Sequence, residues 1–242
     1  MKKLNVVGLL LIATIFFGCA GTKADLEEAR YLLGKGDKEN AAKAISILEP
    51  MLTSSSGAQR LETYRLYAGA QIQAAGVDSI KIISTVVYKV SENTVTLTRD
   101  AFSTLTSDSG VKFRSAISNL DTLIGEDVFA AASLRDRQGI YYQRGLAYLF
   151  DALRIAVQIS EINLDTFTTV TCEDAYTNAA ADDKDTKITT NLGSAAADFD
   201  SAGLDPSNAL YSLSNSLKSS VDTAGSTAAI CAYLLQQKNL SE

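Results

Sequence analysis

Residues 134–161 read LRDRQGIYYQRGLAYLFDALRIAVQISE and form the longest helical pattern in the chain. Between Leu146 and Ile159, apolar residues occupy most of the helical circumference. A helix that is apolar on most sides is buried among other helices, whereas a surface helix has a single apolar stripe. The pattern therefore predicts a long central helix near 134–161 and an all-α fold around it.

A polar stripe runs along this predicted central helix. Arg137, Arg144, Asp151 and Gln158 recur every seven residues, and Arg154 lies beside them. Seven residues are about two helical turns, so these side chains share one face. Two interpretations stay open for the stripe. It is either the solvated edge of a buried helix, or the polar wall of a groove that binds a ligand.

The sequence before this segment contains two predicted helix pairs. Apolar residues recur at helical spacing throughout, and glycines at 34, 36 and 76 interrupt the pattern. Pro50 lies late in the second helix, where we expect a tolerable kink. Pairs of about thirty residues are a repeat signature. The four predicted helices are 24–35, 40–52, 59–75 and 77–88.

Several small and apolar residues in these pairs follow a recognisable order. They are Ala29, Tyr31-Leu32, Gly36-Asp37 and Ala44-Ile45 in the first pair, Tyr64, Tyr67, Ala68 and Gly76 in the second, and Leu204-Asp205-Pro206 later. This order resembles a degenerate tetratricopeptide (TPR) repeat, with a longer turn-to-alanine spacing and without the leading tryptophan. The resemblance implies antiparallel helix pairs in an irregular right-handed superhelix, whose first helices line a concave surface. The alternative is an irregular α-helical arrangement without repeats.

The remaining sequence completes a single predicted helical domain over residues 25–242. Loops are expected near 91–110 and 163–190, where Ser, Thr and acidic residues are dense. Asp205 is expected to cap a helix whose first position is Pro206. The other predicted helices are 111–124, 192–202, 207–221 and 228–238.

The N-terminal residues have the layout of a bacterial secretory signal. Met1-Lys2-Lys3 is basic, residues 4–17 are almost all apolar, and Gly18 precedes Cys19. The apolar run is too short to span a bilayer, so we interpret residues 1–18 as a signal peptide. The alternative to a functional cysteine at this point is an ordinary secretory signal with a chance cysteine.

The Phe16-Phe17-Gly18-Cys19 junction resembles the lipobox of bacterial lipoproteins, although the family usually has Leu where Phe16 stands. The resemblance implies that Cys19 becomes the first mature residue and is acylated, with residues 19–24 as a lipidated tether. It also implies a location in the cell envelope, with the bilayer as a partner. Ala20, in a place where Asp retains many lipoproteins in the inner membrane, favours the outer membrane, facing the periplasm.

Composition excludes several classes of function. The chain has no histidine, which removes Ser-His-Asp and Cys-His catalysis and the commonest ligands of zinc, copper and haem. Loss of Lys2 and Lys3 with the signal peptide changes the formal charge from −6 to −8. An acidic chain lacks the basic patch that a nucleic-acid partner requires. We therefore expect no enzyme, cofactor, metal or nucleic acid.

Two cysteines remain besides Cys19, namely Cys172 and Cys231. In an oxidising envelope compartment, an even number of cysteines favours a disulfide between them. The alternative is two separate buried thiols.

These observations lead to two expectations of function. The first is a non-catalytic, membrane-anchored scaffold whose helical repeats bind a protein partner in the envelope. The second is a periplasmic carrier of a small anionic or lipid-like ligand that serves a transport system. In that case Arg137, Arg144 and Arg154 would attract the anionic group.

Overall fold

The computed structural model describes residues 23–77, 108–160 and 184–224. All regular secondary structure within these ranges is helical, which confirms the predicted all-α class. The described helices are α1 (23–33), α2 (Lys38–Leu48), α3 (Met51–Ser54), α4 (Gly57–Ala74), α5 (Ser109–Ile124), α6 (Asp127–Ala130), α7 (Leu134–Ser160), α8 (Lys184–Ser201) and α9 (Ala209–Ala224).

The first two helices form a hairpin whose turn is determined by two residues. Gly36 has φ +78°, in the left-handed region where a glycine avoids the steric cost of a Cβ atom. Asp37 then caps α2, because its side chain accepts a hydrogen bond from the backbone N–H of Asn40 at 2.8 Å. The predicted turn at this position is therefore confirmed.

Pro50 has a larger effect than the kink expected from the sequence. The prediction of one continuous helix over 40–52 is wrong, since α2 ends at Leu48 and α3 begins separately at Met51. Pro50 precedes α3 with φ −65°, the value at which the proline ring holds the backbone. Proline suits the start of a helix because the first turn leaves its amide position without a partner.

Helix α4 lies between two hydrophobic clusters and contributes a different face to each. Tyr64, Ala68 and Ile72 belong to the larger cluster, which extends through α5, α7, α8 and α9. Tyr67 and Ala70 belong to a smaller cluster with residues of α1, α2 and α3. Because two of its faces are buried, α4 joins the N-terminal hairpin to the rest of the fold.

Helix α7 is the central helix that its apolar sequence predicts. It packs most extensively against α8, also against α5, and less against α4. Its core residues are Ile140, Leu146, Ala147, Leu149, Phe150, Ala152 and Ile155. Among the described elements, the long helices therefore pack in the order α2, α4, α5, α7, α8 and α9. This order of packing does not by itself establish a superhelix, and the TPR-like arrangement stays a prediction.

Two predicted loops end earlier in the chain than expected. The loop near 91–110 is followed by α5 from Ser109, and the loop near 163–190 by α8 from Lys184. The predicted tether also ends earlier, because residues 23 and 24 already belong to α1. The predicted signal peptide, Cys19, Cys172, Cys231 and the predicted helices 77–88 and 228–238 lie wholly or almost wholly outside the described residues.

The cap predicted before the last described helix is also placed differently. Asp205 does not begin a helix at Pro206; its side chain accepts a hydrogen bond from the Ser207 backbone N–H at 2.8 Å and forms a turn. Asn208 caps α9 instead, accepting from the backbone N–H of Leu210 at 3.0 Å.

Candidate functional site

Arg144 in the predicted polar stripe of α7 faces the neighbouring helices α5 and α8. Arg144 donates two hydrogen bonds to Asp198 of α8, from Nε at 2.8 Å and from Nη2 at 2.6 Å. Its Nη1 donates to Asp121 of α5 at 2.6 Å. The Asp198 side chain is only 4% exposed, whereas that of Asp121 is 47% exposed. Arg144 therefore connects three helices from a partly buried position.

Aromatic rings flank the Arg144 guanidinium. Its Cζ lies 5.5 Å from the ring centroid of Tyr141 and 6.0 Å from that of Tyr148. Both distances are within the range of a cation–π interaction. Tyr142, which follows Tyr141 in the chain, packs against Phe199, and burial raises its pKa to about 12. The Tyr142 hydroxyl is thus neutral at physiological pH and is a poor candidate for acid–base catalysis.

Burial and charge pairing act in opposite directions on the Arg144–Asp198 pair. Burial acts to lower the pKa of Arg144, but the hydrogen bonds that it donates to Asp198 and Asp121, and the charges of these two carboxylates, outweigh burial, so the pKa is raised. Burial also raises the pKa of Asp198, and the Arg144 guanidinium offsets only part of that effect. The guanidinium is therefore the firmly charged partner, and Asp198 depends on it to remain ionised.

A second buried pair lies further along α7. Arg154 donates to Oδ1 of Asp151 from Nε at 3.1 Å and from Nη2 at 2.9 Å. Asn191 of α8 donates to Oδ2 of the same carboxylate at 3.1 Å. Arg114 of α5 approaches Oδ1 at 3.9 Å. This second cluster therefore joins the same three helices as the first.

The solvated-edge interpretation of the stripe is wrong for Asp151 and Arg154, which are 3% and 9% exposed. Arg144 is likewise engaged internally. Arg137 is half-buried, and its Nε has no hydrogen-bond acceptor among the described residues. The side chain of Gln158 lies outside the described part of the structure. Ligand binding by these five residues stays a prediction.

Close backbone packing accompanies both clusters. A Cβ atom on Gly145 of α7 would lie 2.8 Å from Cε1 of Phe199, well inside contact distance. A Cβ atom on Gly110 of α5 would overlap the Arg154 guanidinium. These glycines let α7 approach its neighbours closely enough for the ion pairs to form.

A third charged contact was not predicted from the sequence. Arg60 of α4 donates to both carboxylate oxygens of Glu126 at 2.5 Å, to the Leu52 carbonyl at 2.6 Å and to the Tyr64 hydroxyl at 3.0 Å. Its guanidinium therefore connects α3, α4 and the segment between α5 and α6. The hydrogen bond from Arg60 lowers the pKa of Glu126.

The arrangement is that of a structural ion-pair network. Over the described residues, no group of three or more side chains of the metal-binding types is close enough to hold a metal ion. In the same part of the chain, no helix is both long and apolar enough to cross a membrane. The charged groups of α7 hold this helix to α5 and α8. Arg144 uses all three of its guanidinium nitrogens in these contacts.

Comparison of the chain with protein-family models, with curated proteins and with solved structures finds no match.

Proposed function

We propose that this chain is a non-catalytic, lipid-anchored scaffold of the bacterial cell envelope. It is attached to the outer membrane through acylated Cys19, faces the periplasm, and presents a rigid helical surface to a protein partner. The lipobox-like residues Phe16 to Cys19 support the anchor, and the absence of histidine from the sequence supports a role without catalysis.

One structural observation carries the scaffold role. Two of the three arginines of α7 that an anion carrier would use are paired internally, with Arg144 on Asp198 and Asp121, and Arg154 on Asp151. A buried ion pair holds its side chains in one geometry, since separating the charges leaves one of them without compensation. A body fixed in this way suits the presentation of a constant surface.

The anchor is tested by the variant Cys19→Ser, with Cys172→Ser as the matched control. We expect the parent and the control to float with membranes and to carry acyl chains on the N-terminal peptide, as measured by mass spectrometry. We expect Cys19→Ser to lose both properties. A parent chain that is soluble and unacylated contradicts the anchor.

The partner is tested by cross-linking in intact cells, followed by purification of the chain from envelopes. We expect an envelope protein to be enriched with the parent chain and to be reduced with Cys19→Ser, which is detached from the membrane. Recovery of no specific protein contradicts the scaffold role, even if the anchor is confirmed.

A small-ligand carrier is the second candidate, favoured by the buried Nε of Arg137, which has no acceptor among the described residues. An anionic ligand would supply that acceptor. A thermal-shift screen against carboxylates and lipids tests this function. A saturable increase in Tm that disappears in Arg137→Gln supports the carrier, and no increase for any compound leaves the scaffold as the better proposal.

A further inference from the structure

The packed helices together have two distinguishable ends, because long helices that follow one another in the chain run antiparallel. Residue pairs across the α4–α5 interface show this, since Arg60 contacts Glu126 near one end and Ser109 contacts the Ala75 carbonyl near the other. The α7–α8 interface is also antiparallel, with Arg144 on Asp198 and Asp151 on Asn191.

Helix α1 runs in the same direction as α4, which places its start at a defined end. Arg30 contacts Glu62 early in α4, and the Leu33 carbonyl accepts from Gln73 late in α4. The first residues of α1 therefore lie beside the start of α4. We call this the anchor end; it comprises the start of α1 and the segments 49–57, 125–133 and 202–208.

The opposite end, called here the far end, is formed by other segments. They are 34–37, 75–77, 108–110 and the helix termini at 160 and 184. Helix α4 alone has 18 residues, so about 27 Å separate the two ends at 1.5 Å per residue. This length is the scale against which the tether is compared.

The chain between Cys19 and α1 is short on this scale. Four Cα–Cα steps separate Cys19 from residue 23, which span at most about 14 Å when fully extended. An acylated Cys19 lies at the surface of the bilayer, so the start of α1 cannot be further away than this reach. If the helix axes run perpendicular to the bilayer, the far end lies about 27 Å from the anchor end, which is roughly twice the reach of the tether.

We propose that the anchor end rests on the headgroup layer of the membrane and that the far end points into the periplasm. This orientation rests on the proposed lipid anchor. The segment 53–59, which reads TSSSGAQ, has no charged residue, and the charges of Arg60 and Glu126 compensate each other.

The tether, rather than attraction to lipid, keeps this end close to the bilayer. The exposed acids Glu49, Asp127 and Asp205 at the anchor end oppose binding to an anionic surface. The partner that fits is therefore a zwitterionic lipid surface. Because the far end is the part held away from lipid, it is the part accessible to a protein partner.

The test uses three variants of the acylated full chain, each with one added cysteine for labelling, in phosphatidylcholine vesicles. Ala58→Cys reports the anchor end, Val111→Cys the far end and Ala42→Cys the outer side of α2; all three positions are exposed. Each label carries a fluorophore, and nitroxide-bearing lipid headgroups quench it at short range. The unsubstituted chain measures labelling at Cys172 and Cys231.

We expect several-fold stronger quenching at residue 58 than at the other two sites, unchanged by added salt. Equal quenching at all three sites, or the strongest quenching at residue 42 or 111, overturns the orientation. Flotation of the vesicles is measured first. A chain that floats but shows no preference for residue 58 refutes the orientation alone, whereas a chain that does not float refutes both the orientation and the proposed anchor.

Discussion

Arg144→Gln removes the cation on which the buried carboxylate of Asp198 depends. The substitution deletes two hydrogen bonds, at 2.8 and 2.6 Å, to a side chain that is 4% exposed. Breaking a buried ion pair by removing one partner costs about 3–5 kcal/mol. Asp198 can relieve part of this cost by binding a proton, so we expect a loss of about 3 kcal/mol at pH 7.

The pH dependence of that loss identifies its cause. The pKa of Asp198 is already raised by burial, and loss of the guanidinium raises it further. A carboxyl whose pKa is higher in the folded than in the unfolded protein stabilises the fold most below its unfolded pKa, and that stability is lost as pH rises through the folded pKa. The cost of Arg144→Gln should therefore shrink as the pH is lowered from 7 toward 4.

Urea unfolding across this pH range measures the effect, with Arg135→Gln as the control. Arg135 is an exposed arginine of α7, and its substitution should change the free energy of unfolding by less than about 0.5 kcal/mol. In Asp198→Asn the buried charge is absent, so adding Arg144→Gln should cost about 1 kcal/mol or less. Equal losses in the two backgrounds, or equal losses for Arg144→Gln and Arg135→Gln, would refute the reasoning.

Two other contacts give further predictions, one for the Arg60–Glu126 ion pair and one for the close packing of Gly145 on Phe199. Arg60 lowers the pKa of Glu126, so the pair should contribute about 1 kcal/mol to the free energy of unfolding at neutral pH. This contribution is lost as the pH falls through the pKa of Glu126 in the folded protein. The free energy of unfolding of Glu126→Gln should lack this acid dependence. Gly145→Ala places a Cβ atom 2.8 Å from Phe199 and should cost about 1–3 kcal/mol. Gly139→Ala, in the same helix with nothing within 4 Å of its Cβ, should be neutral or stabilise by up to about 1 kcal/mol, with both variants measured by urea unfolding. A similar loss for both alanine variants would contradict the close packing at Gly145.

Helix positions follow from the sequence where apolar spacing is sustained. Helix α7 starts at Leu134 in both the prediction and the structure: apolar residues recur at helical spacing from Ile140 onward, and the Ser133 hydroxyl before Leu134 accepts a hydrogen bond from the Asp136 backbone N–H at 3.2 Å. Local competition determines the errors. Pro50 suits a helix start as well as a late kink, and Asp205 competes with Asn208 to cap α9. The choice between such near-equal local arrangements depends on packing that the sequence does not display.

The ion-pair partners could not be predicted from the stripe of α7. Asp121 and Asp198 are 23 and 54 residues from Arg144 in the chain, and helical periodicity does not say which helices become neighbours. One signal was available. Asp198 interrupts the apolar face of α8 between Ala195 and Phe199, both fully buried. An acid in such a position requires a buried cation, and this indicates a pair even before the partner is known.

The two charged clusters of α7 explain how an alanine-rich interface can have a single register. Sliding α8 by one helical turn, about 5.4 Å, would separate Asp198 from Arg144 and Asn191 from Asp151 at the same time. Small apolar side chains alone would tolerate that shift, but the shifted state would leave the buried carboxylate of Asp198 without its cation. The pairs therefore select one arrangement of α5, α7 and α8. Apolar residues of similar size in their place could give an equally stable fold, but they would not select this register. The proposed scaffold role would depend on that uniqueness more than on added stability, because a protein partner recognises a shape.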